Sequence, residues 1–292
     1  MPTISSAVAE RMPRMPQKYL AGKVCLVAGA SGAIGSAVSK LFHQEGAKLG
    51  LTYLSQEPAP FHSIDHTVAE HTIKFPLDLR DRKQIDEAVD RVVHKFGRLD
   101  ILVNCTGVLG PIGPSADVSI DDWIEAVNIN LIGSFRLTRA VLPGMLTQGS
   151  GKIIHFSGGG AAYARPFFTS YSTSKAALVR FVESLAGELK EHHIDINTIA
   201  PGAVNSRMWN QMRSSGDAGG ASTITEIKKM EETGGVPPER AADLAAFLAS
   251  ELSDGLSGRL ISAIHDDWRT FKHRVAEIAA SEAGTLRRVP FA

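Results

Sequence analysis

Tyr171 and Lys175 lie four residues apart, within a short stretch rich in Ser and Thr. On an α-helix, this spacing places the phenol and the ammonium on one face, one turn apart. A lysine cation favours the phenolate, and lowering the tyrosine pKa by about 3 units corresponds to roughly 4 kcal/mol. Such a tyrosine can exchange a proton with a carbonyl or alcohol oxygen near neutral pH. The pair therefore predicts acid–base chemistry, although the same spacing is also common on exposed helix faces.

The elements that must position this pair alternate along the chain between short apolar runs and amphipathic stretches. The predicted strands are Lys23–Ala28, Lys48–Tyr53, Thr72–Pro76, Leu99–Asn104, Lys152–Ser157, Ile194–Ile199 and Arg259–Ala263. The predicted helices are Ile34–Glu45, Arg82–Phe96, Ile120–Leu146, Tyr171–Lys190 and Pro238–Glu251. The strands are rich in Val, Ile and Leu, as expected where both faces are covered. This alternation predicts an α/β fold: a doubly wound, Rossmann-like parallel sheet in a single domain.

One long connection, from Ala203 to Val236, interrupts the alternation. Met208, Trp209 and Met212 lie at its start, and a Gly/Ser-rich stretch follows. Connections of this length are usually lids or binding loops, so we predict a substrate lid, with a surface insertion as the alternative.

The domain itself is expected to span residues 21–268. We predict that residues 1–20 form an N-terminal arm. The C-terminal extension, 269–292, is expected to form a peripheral helix, with a cover over a neighbouring subunit's site as the alternative.

The bulk composition excludes two classes of partner. The 31 basic and 31 acidic residues of the 292-residue chain cancel, and no basic stripe is present, so nucleic acid is not an expected partner. No apolar run is long enough to suggest a membrane partner. The two cysteines, Cys25 and Cys105, fall too far apart on predicted strands to bridge, which favours a reducing, cytoplasmic location.

A glycine-rich segment joins the first predicted strand to the first predicted helix. It contains Gly29, Ser31, Gly32, Ile34 and Gly35. Glycines permit a tight turn and let main-chain amides approach a pyrophosphate at the helix N-terminus. The strand–turn–helix context therefore favours a dinucleotide site over an ordinary tight turn.

In this order along the chain, the glycine segment and the Tyr/Lys pair resemble the short-chain dehydrogenase/reductase family, in its classical subfamily. The resemblance covers residues 21–263. The family's loop, Thr-Gly-x-x-x-Gly-x-Gly, is present with Ala28 in place of Thr and with the middle glycine shifted, which leaves Ala33.

The resemblance also implies where a dinucleotide is bound. Asp78 would meet the adenine amino group, with Leu79 beside the ring, and Cys105 replaces an Asn that usually contacts the ribose. The implied cofactor-binding residues are Gly29, Ser31, Gly32, Ile34, Gly35, Tyr53, Asp78, Leu79, Cys105, Thr106, Gly107, Tyr171, Lys175, Pro201, Gly202, Val204 and Ser206.

Four catalytic residues are implied by the same resemblance: Tyr171, Lys175, Asn130 and Ser157. Tyr171 would pass the proton, Lys175 would hold the nicotinamide ribose, and Asn130 would kink its helix and hold a relay water. The family's serine lies thirteen residues before the tyrosine, where this chain has Gly158. Ser157 is one position early and would face the opposite side of a strand. The run of glycines that follows it lets the backbone bend so that Ser157 or a main-chain amide faces the substrate.

The residue at the end of the second predicted strand bears on the choice of cofactor. An acidic residue there usually selects NAD, but this chain has Tyr53. With no carboxylate to repel a 2′-phosphate, the sequence leans slightly toward NADP. Because no Arg or Lys lies in the glycine loop or directly after Tyr53, NAD remains the alternative.

The predicted function is that of an NAD(P)-dependent oxidoreductase, which transfers hydride between nicotinamide and the ketone or secondary alcohol of a small-molecule substrate. The alternative is a non-redox role in binding, isomerisation or cyclisation, because the usual serine position is Gly158. No metal is expected, since neither His155 nor the pair His192–His193 has metal-ligand spacing. The resemblance implies a homodimer or homotetramer.

Five residues are expected to border the substrate pocket. Their character suggests an apolar substrate with an anionic group near the arginine. They are Arg165, Phe167, Phe168, Met208 and Trp209.

Overall fold

The computed structural model describes residues 18–54, 70–289 and 291, so the predicted arm up to residue 17 lies outside the described chain. Its strands are β1 Val24–Ala28, β2 Lys48–Tyr53, β3 Thr72–Pro76, β4 Ile101–Asn104, β5 Gly151–Phe156, β6 Ile194–Ala200 and β7 Leu260–Ser262. In the described residues they form one parallel sheet in the order β3-β2-β1-β4-β5-β6-β7. The predicted fold class is confirmed.

Helices cover both faces of the sheet. They are α1 Ala33–Gln44, α2 Arg82–Phe96, α3 Ile120–Val127, α4 Ser134–Gln148, α5 Thr169–Leu189, α6 Arg207–Ser214, α7 Gly220–Thr233, α8 Pro238–Ala249 and α9 Val275–Ala279. Cys25 and Val27 pack on the layer that contains α1 and α8, whereas Val24 and Leu26 pack on the layer of α2, α4 and α5. Burial on both faces explains why the strand sequences are almost entirely apolar.

The strand order reverses at β1, which pairs with β2 on one side and with β4 on the other. In open parallel sheets, a ligand crevice forms at this point, beyond the carboxyl ends of the strands. The glycine loop follows β1, and segment 104–107 starts at the last residue of β4. The amide of Cys105 donates to the carbonyl of Ala28 at 2.9 Å, which ties the two chain segments together.

The single helix predicted for Ile120–Leu146 is wrong in one respect. A π-helical segment, Asn128–Gly133, separates α3 from α4. Such wide turns are frequent at functional sites. Within it, a Cβ on Gly133 would lie 2.7 Å from the Cβ of Leu79, so only glycine fits against that neighbour.

The connection 203–236 is largely helical and is not a loop, because it contains α6 and α7. Trp209 and Met212 of α6 and Met230 of α7 are buried in a cluster that includes Phe168 and Tyr171. Apolar packing of this kind overrides the weak helix propensity of the Gly/Ser-rich stretch. The predicted lid is therefore a pair of helices packed beside Tyr171.

The segments at the two ends of the predicted domain pack against its core. Leu20 is fully buried, and the amide of Tyr19 donates to Glu45 at 3.2 Å, so the last residues of the predicted arm belong to the domain. Beyond β7, Trp268 is buried against Phe247, with ring centroids 5.8 Å apart. The short helix α9 lies in the C-terminal extension. Among the described residues, no helix combines the length and apolar character needed to cross a membrane.

We expect that Trp268→Ala lowers the free energy of unfolding by about 3–5 kcal/mol, because it removes a buried aromatic ring and leaves a cavity. Urea unfolding at pH 7 measures this loss. Ile120→Ala is the control, since its side chain is 72% exposed and its truncation should change stability by less than about 0.5 kcal/mol. Equal stabilities for the two variants would show that the Trp268 ring is not packed against Phe247 in solution.

Candidate active site

The glycine loop is shaped by a close approach of its own backbone. Gly29 has a φ of +72°, which favours glycine. A Cβ on Gly35 would lie 2.2 Å from the carbonyl oxygen of Gly29. Gly32 begins α1 and provides no side-chain cap, so the first-turn amides of α1 are left for an anion. Ser31 and Ile34 flank that turn, and the cradle fits a pyrophosphate.

The segment after β4 lies directly beside this loop. The hydroxyl of Thr106 donates to Oδ1 of Asn104 at 2.6 Å, and Nδ2 of Asn104 donates to Ser134 at 2.9 Å. A Cβ on Gly29 would lie 3.1 Å from the Thr106 methyl group, so the two loops are in contact. Burial raises the pKa of the Cys105 thiol, which keeps it protonated.

Tyr171 lies near the start of α5 and is only 7% exposed. Burial raises its pKa to about 12, and the cation of Arg165 opposes this shift. The ammonium of Lys175 is 6.0 Å from the centre of the Tyr171 ring and donates to the carbonyl of Phe156 at 2.8 Å. Burial also lowers the pKa of Lys175 to about 8. Burial of the phenol therefore outweighs the Arg165 cation, and the lowering of the Tyr171 pKa by Lys175 stays a prediction.

Gly107 lies between Lys175 and Asn130. A Cβ there would be 3.2 Å from Nζ of Lys175 and 3.3 Å from Oδ1 of Asn130. Asn130 is fully buried: its Oδ1 accepts from the Val108 amide at 2.9 Å, and its Nδ2 donates to the Val108 carbonyl at 2.8 Å and to Ser174 at 3.0 Å. Its side chain therefore holds segment 107–108 against α5. Its role in a water relay stays a prediction.

The hydroxyl of Tyr171 occupies the space of the serine that the family usually has. A Cβ on Gly158 would lie only 2.1 Å from Oη of Tyr171. Ser157 follows β5 directly, and its amide donates to Ile199 at 2.8 Å. Its Oγ is buried and has no hydrogen-bond partner among the described residues. Ser157 therefore brings an unpaired hydroxyl next to the glycine that contacts Tyr171.

The next two glycines face hydroxyl groups in the same way. A Cβ on Gly159 would lie 2.9 Å from Oη of Tyr163, and one on Gly160 would lie 2.4 Å from Oγ of Ser172. Gly160 also has a φ of +97°. The run of three glycines thus allows three hydroxyls to approach the backbone.

His155 is a core residue. It is fully buried, with Nε2 at 2.9 Å from Oγ1 of Thr138 and Nδ1 at 3.3 Å from Nδ2 of Asn104. Burial lowers its pKa to about 3, so the ring is neutral at physiological pH.

The remaining predicted cofactor residues fall into two groups. The first group lies in the connection from β6 to α6 and consists of Pro201, Gly202, Val204 and Ser206. Just after it, the terminal methyl of Met208 lies 3.2 Å from the position of a Cβ on Gly107. This group joins the site around Lys175.

The second group follows β2 and β3. Tyr53 ends β2 and is half-buried, and Leu79 is buried. Asp78 is already ion-paired: Nη2 of Arg80 lies 2.5 Å from its Oδ2, and this hydrogen bond lowers the Asp78 pKa. An adenine contact by Asp78 therefore has to share the carboxylate with Arg80.

The family described as short chain dehydrogenase matches residues 23–217, the part of the chain that holds the glycine loop, Tyr171 and Lys175. The chain belongs to the short-chain dehydrogenase family. It is an NAD(P)-dependent oxidoreductase that acts on CH–OH or C=O groups.

Similar proteins span the whole domain. The chain is 34% identical over 248 residues to the 3-oxoacyl-(acyl-carrier-protein) reductase FabG of Thermotoga maritima. The aligned region covers 83% of this chain and 96% of that protein. It is 33% identical over 246 residues to the 2,3-dihydro-2,3-dihydroxybenzoate dehydrogenase of Bacillus subtilis, which covers 81% of this chain and 92% of that protein.

A solved structure of a variant of actinorhodin polyketide ketoreductase with NADPH has the same fold. The TM-score is 0.73 at 26% identity, and the match covers 82% of this chain and 95% of that chain.

Sequence reasoning missed the part that α7 plays in the site. Glu226 on α7 pairs with Arg165, with Nη2 and Oε2 at 2.5 Å. This removes the basis for predicting an anionic substrate group near Arg165, because a carboxylate of the chain itself already occupies that position. The available signal was the helical spacing of Thr223, Ile227 and Met230, which line the inner side of α7.

We expect that Gly35→Ala destabilises the protein and weakens dinucleotide binding at least tenfold, because a Cβ there would meet the Gly29 carbonyl at 2.2 Å. Urea unfolding and fluorescence titration with NADPH measure both effects. Gly144→Ala on α4 is the control: no atom lies within 4 Å of its Cβ, so it should stabilise the fold by about 0.5–1 kcal/mol and leave binding unchanged. Normal NADPH binding by Gly35→Ala would contradict the assignment of the loop.

A second expectation concerns Lys175, whose pKa of about 8 in the folded protein lies below the unfolded value of about 10.4. Between these values the unfolded chain binds a proton that the folded chain does not, so wild-type stability should rise with pH in this window. Lys175→Met should lack this rise. Its stability relative to wild type should therefore fall between pH 7 and pH 9.5 in urea unfolding. An identical pH dependence in both proteins would show that Lys175 is not a buried cation.

Proposed function

We propose that Tyr171 is the acid and base in hydride transfer between nicotinamide and a ketone or secondary alcohol. The observation that carries the proposal is the meeting of three groups at the carboxyl ends of β4 and β5. The Tyr171 hydroxyl contacts Gly158, while the ammonium of Lys175 and the amide of Asn130 lie on either side of Gly107. The glycine loop, which fits a pyrophosphate, lies beside them.

When bound, the cofactor supplies or accepts the hydride at the substrate carbon. Tyr171 donates its proton to the carbonyl oxygen in reduction and takes it back in oxidation. Because burial raises its pKa to about 12, it holds the proton at neutral pH and can donate it when a ketone is reduced. In this proposal the Lys175 cation stabilises the phenolate that donation leaves behind, and its ammonium holds the nicotinamide ribose.

Ser157 is proposed as the second donor to the substrate oxygen. Its Oγ is buried and has no hydrogen-bond partner among the described residues. Buried hydroxyls are rarely left unpaired, so a ligand oxygen is a reasonable partner for it. Asn130 contributes by holding segment 107–108 in place and by a water relay to Lys175.

NADP is the proposed cofactor, with NAD as the alternative. The absence of a carboxylate at Tyr53 supports this choice, as does the similar ketoreductase that is solved with NADPH. A carboxylate at this position would repel the 2′-phosphate.

The proposed substrate is a small ketone with an apolar body. An apolar cluster beside Tyr171 supports this; it consists of Leu109, Phe168, Trp209, Met212 and Met230. The 3-oxoacyl group in the name of the similar FabG reductase is a ketone of this kind. We also propose a homodimer or homotetramer in the cytoplasm, which sedimentation and fractionation of cells measure.

We expect that Tyr171→Phe lowers kcat by about 10²–10⁴, because it removes the proton donor, while dinucleotide binding survives. NADPH oxidation with a panel of ketones and 3-oxoacyl thioesters measures turnover, and fluorescence titration with NADPH and NADH measures binding and cofactor preference. Tyr19→Phe is the matched control, since Tyr19 precedes β1, at the end of the sheet opposite Tyr171. It should keep wild-type activity within a few fold.

Full activity of Tyr171→Phe would exclude the proposed mechanism. A wild-type protein that binds neither dinucleotide would instead favour the non-redox alternative.

A further inference from the structure

The loop between β5 and α5 contacts helix α7 at two points. Nη2 of Arg165 lies 2.5 Å from Oε2 of Glu226 on α7. The Phe167 ring packs on Gly220, where a Cβ would lie 2.5 Å from Cε2 of the ring. Phe167 has a φ of +68°, a left-handed conformation that is costly for a bulky residue. The contact with α7 is thus formed despite backbone strain in the loop.

Arg165 also contacts the wall of the active site. Its guanidinium carbon lies 4.2 Å from the centre of the Phe168 ring, and its side chain is only 16% exposed. Phe168 is fully buried and belongs to the same apolar cluster as Tyr171 and Met212. Arg165 therefore links α7 to the residues packed around the Tyr171 ring.

Arg165 also lies against the run of glycines that contacts the Tyr171 hydroxyl: a Cβ on Gly160 would lie 3.3 Å from Cβ of Arg165, and one on Gly158 would lie 2.1 Å from Oη of Tyr171. Burial raises the pKa of Tyr171, Arg165 lowers it, and Tyr163 raises it. The charged and titratable groups around Tyr171 come from its own helix (Lys175), from the loop before it (Tyr163 and Arg165) and from α7, where Glu226 pairs with Arg165. Cys105, after β4, lies against Lys175 and stays protonated.

We propose that Arg165 is a positioning residue that fastens α7 beside the active site and, with Glu226, sets the electric field at the Tyr171 hydroxyl. This inference rests on the proposed role of Tyr171. With α7 in place, Glu226 offsets the charge of Arg165 and Tyr171 holds its proton. If Glu226 is removed, the uncompensated cation favours loss of that proton.

The test uses two substitutions that break the same ion pair but leave opposite charges. Arg165→Met and Glu226→Gln should both loosen α7 and raise KM for the ketone by about threefold to tenfold, because Arg165 is only 16% exposed, although Glu226 is 49% exposed. Their effects on Tyr171 should have opposite signs. Arg165→Met removes a favourable cation and should raise the Tyr171 pKa, whereas Glu226→Gln leaves the cation uncompensated and should lower it.

Alcohol oxidation with saturating NADP⁺ reports on this difference, because the reaction needs the deprotonated Tyr171. Below the Tyr171 pKa, kcat rises with pH, so a changed pKa displaces the whole curve. A displacement of half a pH unit corresponds to about a threefold change in kcat at fixed pH. We expect the Glu226→Gln curve to move to lower pH and the Arg165→Met curve to higher pH.

Two further variants separate this role from a structural one. Arg165→Lys keeps the charge but loses the planar stacking group, so KM should rise without displacing the pH curve. The double variant Arg165→Met/Glu226→Gln removes both charges, so its pH curve should return toward wild type while KM stays raised.

The ion pair of Arg213 on α6 with Glu231 on α7 is the matched control. Its atoms lie 3.4 Å apart, and both side chains are about half exposed, at 48% and 52%. Arg213→Met and Glu231→Gln should leave the pH curve in place. Curves for Arg165→Met and Glu226→Gln that move in the same direction, or not at all, would overturn the proposal if Tyr171→Phe is inactive. An active Tyr171→Phe would instead refute the proposed function itself.

Discussion

The site depends on one buried cation. Lys175 is only 2% exposed, its ammonium donates to the Phe156 carbonyl, and it forms no ion pair with a carboxylate of the described residues. A charge in such surroundings is costly, and burial lowers its pKa accordingly. The packing of α5, β5 and the segment after β4 offsets the free-energy cost of burying this charge and fixes the position of the ammonium. A polar ligand such as a ribose would supply the ammonium with further hydrogen-bond partners. Those hydrogen bonds would offset part of the cost of burying the charge, and this would contribute to the affinity for the cofactor.

Close approach of groups to main-chain atoms explains most of the remaining geometry. Gly35 brings α1 against the carbonyl of Gly29, and Gly107 leaves room for Lys175 and Asn130. Gly158 is a third such case. It has no side chain where the family usually has a serine hydroxyl, and the Tyr171 hydroxyl contacts the backbone there instead. At the position of the family's serine, this chain therefore brings the tyrosine hydroxyl against the main chain. A serine hydroxyl remains next to it, on Ser157.

Much of the fold and part of the site could be predicted from sequence, because the signals were local. Strands buried on both faces produce apolar runs, and the glycine loop and the Tyr/Lys spacing each lie within one element or one turn. The helical nature of α6 and α7 was not predictable in this way, since packing of Trp209, Met212 and Met230 outweighs the local preference of a Gly/Ser-rich stretch. The raised pKa of Tyr171 depends on burial, which spacing does not reveal. Similarly, the pairing of Asp78 with Arg80 and of Arg165 with Glu226 depends on side-chain positions that appear only in the folded chain.

The C-terminal segment has a consequence for how the protein behaves among other proteins. β7 is the outermost strand on its side of the sheet, and an open strand edge is a template for pairing with a foreign chain. The Leu260 amide instead donates to the Gly284 carbonyl at 2.7 Å, and the Arg259 guanidinium donates to the carbonyls of Ala279, Ser281 and Ala283. The chain thereby shields its own sheet edge with residues that follow the catalytic domain. Loss of these last residues by proteolysis would expose that edge and favour aggregation, even with every catalytic side chain still in place.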